Sequence, residues 1–232
     1  MLDRPQQLRL RSRDTRRRQL VRWIAARQSP IGRARQAVGW TDQRLLVLMR
    51  TRGHSEVSDR VVQGLGIFGE LGSGWAAIGA GGALLNSDDR QRWLVAASVA
   101  PVAIVINYAV KVTIGRERPL IDDHPPLARA PSKLSFPSAH STSALAAATA
   151  FGRVAPETRP FLYPLAAAIC IGRPYLGMHY PSDVLAGAVL GTILGRIYPL
   201  PSKPAPDPAS EGSLSTDDTG RRQPEDVVGV IS

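Results

Sequence analysis

The chain has 232 residues, 44% of them hydrophobic, with 29 basic against 19 acidic side chains, a composition that excludes a chain disordered throughout and leaves room for one domain with tails. Its single cysteine, Cys170, rules out an intrachain disulfide and a cysteine-rich zinc centre, so packing must hold the fold. The formal charge of +10 lies wholly at the start: residues 1–60 carry 15 Arg against 5 acids, whereas residues 61–232 balance at 14 and 14.

In chain order, residues 1–60 form the first region. It has no apolar core of a secretory signal, so it is expected to stay on the chain. The clusters Arg16-Arg17-Arg18 and Arg33-Ala34-Arg35 suit anionic lipid head groups, a nucleic-acid patch or a solvated face. A short amphipathic helix over residues 41–50, with Leu45, Leu46, Leu48 and Met49 apolar, is expected to lie on a membrane surface, being too short to cross one.

From residue 61 the texture changes to Ala, Gly, Val, Ile and Leu, with uncharged runs at 71–87, 93–110, 134–152, 160–172 and 184–195. A span needs about 20 helical residues, so each run must borrow from its flanks. Gly187, Gly191 and Gly195 make a small-residue face of the kind that brings helices close, in lipid or in water. Pro101 and Pro164 inside apolar runs are better tolerated in membrane bundles than in lone soluble helices. The expected architecture is all-α: a polytopic membrane bundle of about five transmembrane helices over residues 61–199. Residues 200–232, rich in Pro, Ser and Asp, are expected to be a disordered tail.

Charge inside the apolar half is scarce and falls in three clusters: Lys111 to Arg116-Glu117-Arg118-Pro119, Pro137-Ser138-Ala139-His140, and Arg173 through His179 to Asp183. Singly, each has a plain structural reading, as a positive flank at a membrane boundary, a helix cap at Ser138, or a structural His179–Asp183 pair. Together, at the ends of helices able to converge, they suit phosphoryl transfer. Three cations attract a phosphate dianion, and the helix opening near Ser138 adds N–H donors. A neutral His179 whose other ring nitrogen is held by Asp183 can attack in line, forming a phosphohistidine. His140 can then protonate the leaving oxygen and later activate water. The spacing of four from His179 to Asp183 is one helical turn, with Pro181 admissible in the first turn.

These clusters resemble the type 2 phosphatidic acid phosphatase family, lipid phosphate phosphatases that share a helical core with the vanadium haloperoxidases. The family pattern K-x6-R-P, P-S-G-H and S-R-x5-H-x3-D is matched in order and spacing by Lys111 to Arg118-Pro119, Pro137-Ser138-Ala139-His140, and Arg173 to His179 to Asp183. The resemblance covers residues 61–199 and implies a haloperoxidase-like core and a phosphoric monoester hydrolase without metal or other cofactor. It places Lys111, Arg118, Ser138, Ala139 and Arg173 around phosphate, with His179, His140 and Asp183 catalytic. Ala139 replaces the motif glycine, and Gly172 replaces the serine before Arg173, which puts one phosphate-binding hydroxyl in doubt.

The positive-inside rule puts the Arg-rich start in the cytoplasm, and five spans from there return the loops at 111–137 and 173–183 to that side of a bacterial inner membrane. The resemblance to short bacterial members of the family implies as substrate a polyprenyl-linked phosphosugar such as decaprenylphosphoryl-5-phosphoribose, used in cell-wall synthesis, or phosphatidate or undecaprenyl diphosphate, and no residue of the sequence selects among them. Vanadate-dependent halide oxidation is a second chemistry on the same scaffold. A non-enzymatic alternative is a basic membrane scaffold or nucleic-acid binder acting through residues 1–60, although no helix-turn-helix or zinc spacing supports nucleic acid. Deleting residues 1–53 is then expected to abolish scaffolding and to leave phosphate release largely intact. Glu70, Asn107, His54 and His124 receive no role at this level.

Overall fold

A computed structural model describes residues 30–121 and 123–203, with side chains from Val38 onward. The arginine clusters of the start and nearly all of the proline-rich tail lie outside the described residues. Among the described residues there are eight α-helices: α1 (Pro30–Thr51), α2 (Glu56–Phe68), α3 (Ser73–Leu85), α4 (Arg90–Ala97), α5 (Val99–Ile114), α6 (Ala139–Val154), α7 (Arg159–Tyr175) and α8 (Pro181–Ile197). The five apolar runs thus correspond to α3, α4 with α5, α6, α7 and α8.

Helix α6 is the axis of the bundle. Of its 16 residues, 12 are buried, and they are mostly Ala, Ser, Thr and Gly, so α5, α7 and α8 can all pack closely on one helix. The glycine face of α8 lies directly on its backbone. A Cβ at Gly187 would sit 2.5 Å from the Ser138 carbonyl and one at Gly195 2.5 Å from the Ala146 carbonyl; one at Gly191 would collide with the Thr142 carbonyl. Those three carbonyls recur every four residues, matching the glycines turn for turn. Gly191→Ala is therefore expected to force α8 off α6 and lower stability by about 1–3 kcal/mol, read as a fall in the thermal unfolding midpoint in detergent.

Pro101 acts where its missing N–H dictates. It cannot donate to the carbonyl of Ala97, and the helix breaks at Ser98, splitting the second run into α4 and α5. The two remain nearly continuous, and residues 90–114 are the one described stretch long and apolar enough to cross a membrane, with 33% of its most apolar window buried in the protein. Outward stripes elsewhere are also greasy: Leu185, Val189, Ile193 and Ile197 of α8, four apart, are all half or more exposed.

The start of the chain departs from expectation. The short surface helix expected at 41–50 is part of the 22-residue α1, which packs on α7 and α8. Its inward residues are Asp42, Leu46 and Arg50, while Trp40, Leu45 and Leu48 face outward. A pattern search for apolar residues could not see this, because two of the three buried positions are charged. The compact bundle also takes in α2 and α1, both of which begin before residue 61.

Candidate active site

Two connections meet at one end of the bundle, residues 115–138 between α5 and α6 and residues 176–180 between α7 and α8. The first is pinned by backbone bonds from Arg118 N to Lys133 O (3.0 Å) and from Ser135 N to Arg116 O (2.7 Å). Lys111, buried in the last turn of α5, adds three donors: its Nζ reaches the carbonyls of Leu134 (3.4 Å), Ser135 (3.1 Å) and Pro137 (2.9 Å). An ammonium has three N–H groups, so Lys111 is saturated by the loop that leads into α6.

Beneath these loops lies a cavity of about 570 Å³, lined among others by Lys111, Arg118, Ala139, His140, Arg173 and His179. Six of the eight residues expected at the site therefore line one cavity. Asp183 is fully buried behind His179. Ser138 does not line the cavity: its Oγ accepts from Ser141 N (3.4 Å) and Ser141 Oγ (3.0 Å), and its N–H donates to the Asp183 carbonyl (3.0 Å). Its geometry is that of an N-cap tying α6 to α8. Gly172 likewise faces away from the cavity, and a Cβ there would sit 2.9 Å from Val62. A side chain at this position would start against Val62 of α2, and Gly172 is not among the residues that line the cavity.

His179 is 2% exposed, and its two ring nitrogens have distinct surroundings. Arg118 Nη1 donates to the Met178 carbonyl (2.7 Å) and to His179 Nε2 (3.2 Å). A guanidinium only donates, so Nε2 carries the lone pair and the ring proton sits on Nδ1. Nδ1 lies 3.7 Å from Asp183 Oδ2, beyond hydrogen-bond range, and the carboxylate acts on it through charge. Burial pushes the imidazole down to about 4; Asp183 opposes this, while Arg118, Arg173 and Lys111 add to it. Burial also holds the Arg118 guanidinium below its usual value.

Arg173 is 4% exposed, and among the described residues no acceptor takes a hydrogen bond from it; its Nε is buried without a partner. Desolvating a cation without an acceptor is unfavourable by several kcal/mol, and a bound anion would relieve it. Close approach of α2 fixes this side chain. A Cβ on Gly66 would come 2.9 Å from Arg173 Nη1, and one on Gly69 3.1 Å from His140 Cδ2. His140 Nε2 donates to the Gly66 carbonyl (3.1 Å), which leaves Nδ1 as the basic nitrogen of its neutral ring.

Roles absent at the level of sequence now have a place. Asn107, fully buried, donates from Nδ2 to Thr142 Oγ1 (2.9 Å) and to the Pro137 carbonyl (3.3 Å), so it shapes the turn that presents Ala139 and His140. Glu70 stands exposed at the cavity wall. His54 is paired with Asp59 (2.8 Å) and stacked on Tyr175 (4.0 Å), a clamp between α2 and the end of α7.

Residues 92–202 match the PAP2 superfamily. Over 138 residues the chain is 42% identical to decaprenylphosphoryl-5-phosphoribose phosphatase of Mycobacterium tuberculosis, covering 58% of this chain and 75% of that protein. The chain belongs to the PAP2 superfamily. A transmembrane PAP2-type phosphatidylglycerolphosphate phosphatase of Bacillus subtilis superposes with a TM-score of 0.58 at 26% identity, over 75% of this chain and 87% of that one. A bacterial vanadium-dependent iodoperoxidase shares the fold, with a TM-score of 0.50 at 20% identity over 73% of this chain and 48% of that one. The protein is a membrane phosphatase with a helical core of the haloperoxidase type, as the three motifs implied.

Proposed function

We propose that this phosphatase removes the terminal phosphate of a polyprenyl-linked phosphosugar of the decaprenylphosphoryl-5-phosphoribose class through a phosphohistidine at His179. The observation that carries the reading is the buried Arg173, which has no hydrogen-bond acceptor among the described residues, sharing a cavity with the Arg118–His179 pair. Arg173 and Arg118 clamp the phosphate, and Arg118 moves from His179 Nε2 to a phosphoryl oxygen as substrate enters. The first N–H groups of α6, at Ala139 and His140, complete the oxyanion cradle. Lys111 holds the cradle's loop and adds positive potential. Nε2 then attacks phosphorus in line, the P–O bond to the sugar breaks, and His140, which takes up a proton on Nδ1 from solvent when the phosphate dianion binds beside it, gives that proton to the leaving oxygen. In the second step His140 takes a proton from water, which attacks the phosphohistidine and returns His179 neutral. No step draws on a metal, so release should continue in EDTA. The rim residues Gln63, Glu70 and Arg129 offer hydrogen-bonding groups suited to a sugar.

The first test is phosphate release from a panel containing the phosphoribose lipid, phosphatidate, phosphatidylglycerolphosphate and undecaprenyl diphosphate. The phosphoribose lipid is expected to give the highest kcat/KM, and a preference for phosphatidate would overturn the substrate assignment. Gly66→Ala, which crowds Arg173, should lower kcat/KM about tenfold at nearly unchanged stability. The pH dependence has a definite sign. The nucleophile must be neutral, and in the free protein it protonates only near pH 4, so His179 itself stays competent from pH 5 to 8. The acid limb of kcat/KM above pH 5 should then follow the second ionisation of the substrate phosphate, near 6, and move with it in analogues of different pKa.

Five crossings are the reading we favour: α2 with α3, α4 with α5, α6, α7 and α8. Arg50 and Asp42 of α1 bond to the α5–α6 connection, so this part of α1 lies at the cavity end, and the positive-inside rule, applied to the basic sequence that precedes it, favours the cytoplasmic side of the bacterial inner membrane for that end. Inverted vesicles should therefore release phosphate from a water-soluble monoester analogue, whereas intact right-side-out vesicles should not.

A further inference from the structure

The charge behind His179 does not end at Asp183. Arg116 Nη1 donates to Asp183 Oδ1 (2.8 Å), and its Nη2 donates to Asp42 Oδ2 (2.9 Å) on α1. Asp42 also caps α8: its Oδ1 accepts from Ser182 N (2.8 Å), and its Oδ2 accepts from Ser182 Oγ. Ser182 Oγ in turn accepts from Arg116 Nη1 (2.7 Å), and the guanidinium stacks over Tyr180 at 4.0 Å. Both carboxylates are essentially removed from solvent, Asp42 at 4% and Asp183 at 0% exposure.

We infer that Asp42 is a positioning residue for catalysis, acting through Arg116 to keep the Asp183 carboxylate turned toward the nucleophilic histidine. This rests on the reading of His179 as nucleophile. The physical argument is one of competition for oxygens. Asp183 Oδ2 already accepts from Tyr180 N (2.9 Å) and faces His179 Nδ1. Arg116 is held to Oδ1 because its other nitrogen is anchored on Asp42. Released from Asp42, a guanidinium beside a buried carboxylate favours the bidentate arrangement on both oxygens. That would draw Oδ2 away from the ring, weaken the preference for the Nδ1–H tautomer, and leave Nε2 lone-pair density poorly aimed.

The groups facing this cluster come from four segments: Asp42 from α1, Arg116 from the α5–α6 connection, His179 and Tyr180 from the α7–α8 connection, and Ser182 and Asp183 from α8. The segment expected to be dispensable for phosphate release therefore supplies a part of the site, and deletion of residues 1–53 should inactivate the enzyme.

The test is Asp42→Asn, an isosteric change, in the full-length protein, alongside Asp42→Glu, Arg116→Gln and the Asp42→Asn/Arg116→Gln double variant. Asp42→Asn should lower kcat about 10–100-fold with KM within about threefold, and Asp42→Glu should recover part of that loss. The double variant should be no slower than Arg116→Gln alone, because Asp42 acts through Arg116. Side-chain ¹⁵N spectra of histidine should show a single Nδ1–H tautomer at His179 in the native protein and a mixture in Asp42→Asn, a change that loss of stability alone would not produce. The inference is overturned if Asp42→Asn keeps native kcat and tautomer, or if the two substitutions multiply. Should His179→Ala retain activity, the nucleophile reading itself fails; a dead His179→Ala beside a fully active Asp42→Asn sinks only the role of Asp42.

Discussion

Replacing His179 with alanine is expected to lower kcat by about 10⁴-fold, equivalent to about 5.5 kcal/mol of transition-state stabilisation. The size follows from what is removed. The Nε2 lone pair is defined by the Arg118 donation, and no second imidazole takes its place, since His140 is tied to the Gly66 carbonyl. Folding should survive, because Asp183 keeps its bonds to Arg116 and to Tyr180 N, and Arg118 keeps the Met178 carbonyl. Phosphate release and the unfolding midpoint, measured on the same preparation, separate the two effects. His140→Ala should resemble it in turnover but differ in kind: transfer to His179 slows, and whatever phosphohistidine forms persists because its hydrolysis lacks a base.

The second large effect runs in opposite directions for activity and stability. Arg173→Gln should lower kcat/KM by about 10²–10³-fold, the scale of losing a desolvated charge-assisted contact of about 3–4 kcal/mol. The same change should raise the unfolding midpoint of the substrate-free protein, since it deletes a buried cation that has no hydrogen-bond acceptor among the described residues. A residue kept for structure would lose both together. Inorganic phosphate should raise the unfolding midpoint of the native protein and have no such effect on the variant.

Much of this was legible before any coordinate. The apolar runs identify the helices because burial or lipid contact demands uncharged stretches of helical length, and the α8 glycines announce close contact, although not that Ser138, Thr142 and Ala146 receive it. The three motifs are legible because charge and histidine are scarce in the apolar half and fall at fixed spacings within one turn or loop. What spacing cannot show is direction. Ser138 and Gly172 sit beside cavity residues yet point elsewhere, into the α6 cap and toward Val62. Nor can it show pairing across distance: Asp42 lies 74 residues from Arg116 and 140 from Ser182, on a helix whose apolar face pointed to a membrane surface. Arg116 was hidden in plain view as a neighbour of Arg118, although its guanidinium rather than a motif residue holds the buried Asp183 oxygen.

The most direct measurement is to mix enzyme with ³²P-labelled lipid phosphate, quench within milliseconds in alkali, where phosphohistidine is stable, and map the labelled peptide. The account predicts label on His179, formed and lost at rates that support turnover and increased in His140→Ala. Rapid turnover with no labelled protein at any time, or label carried by another residue, would contradict it.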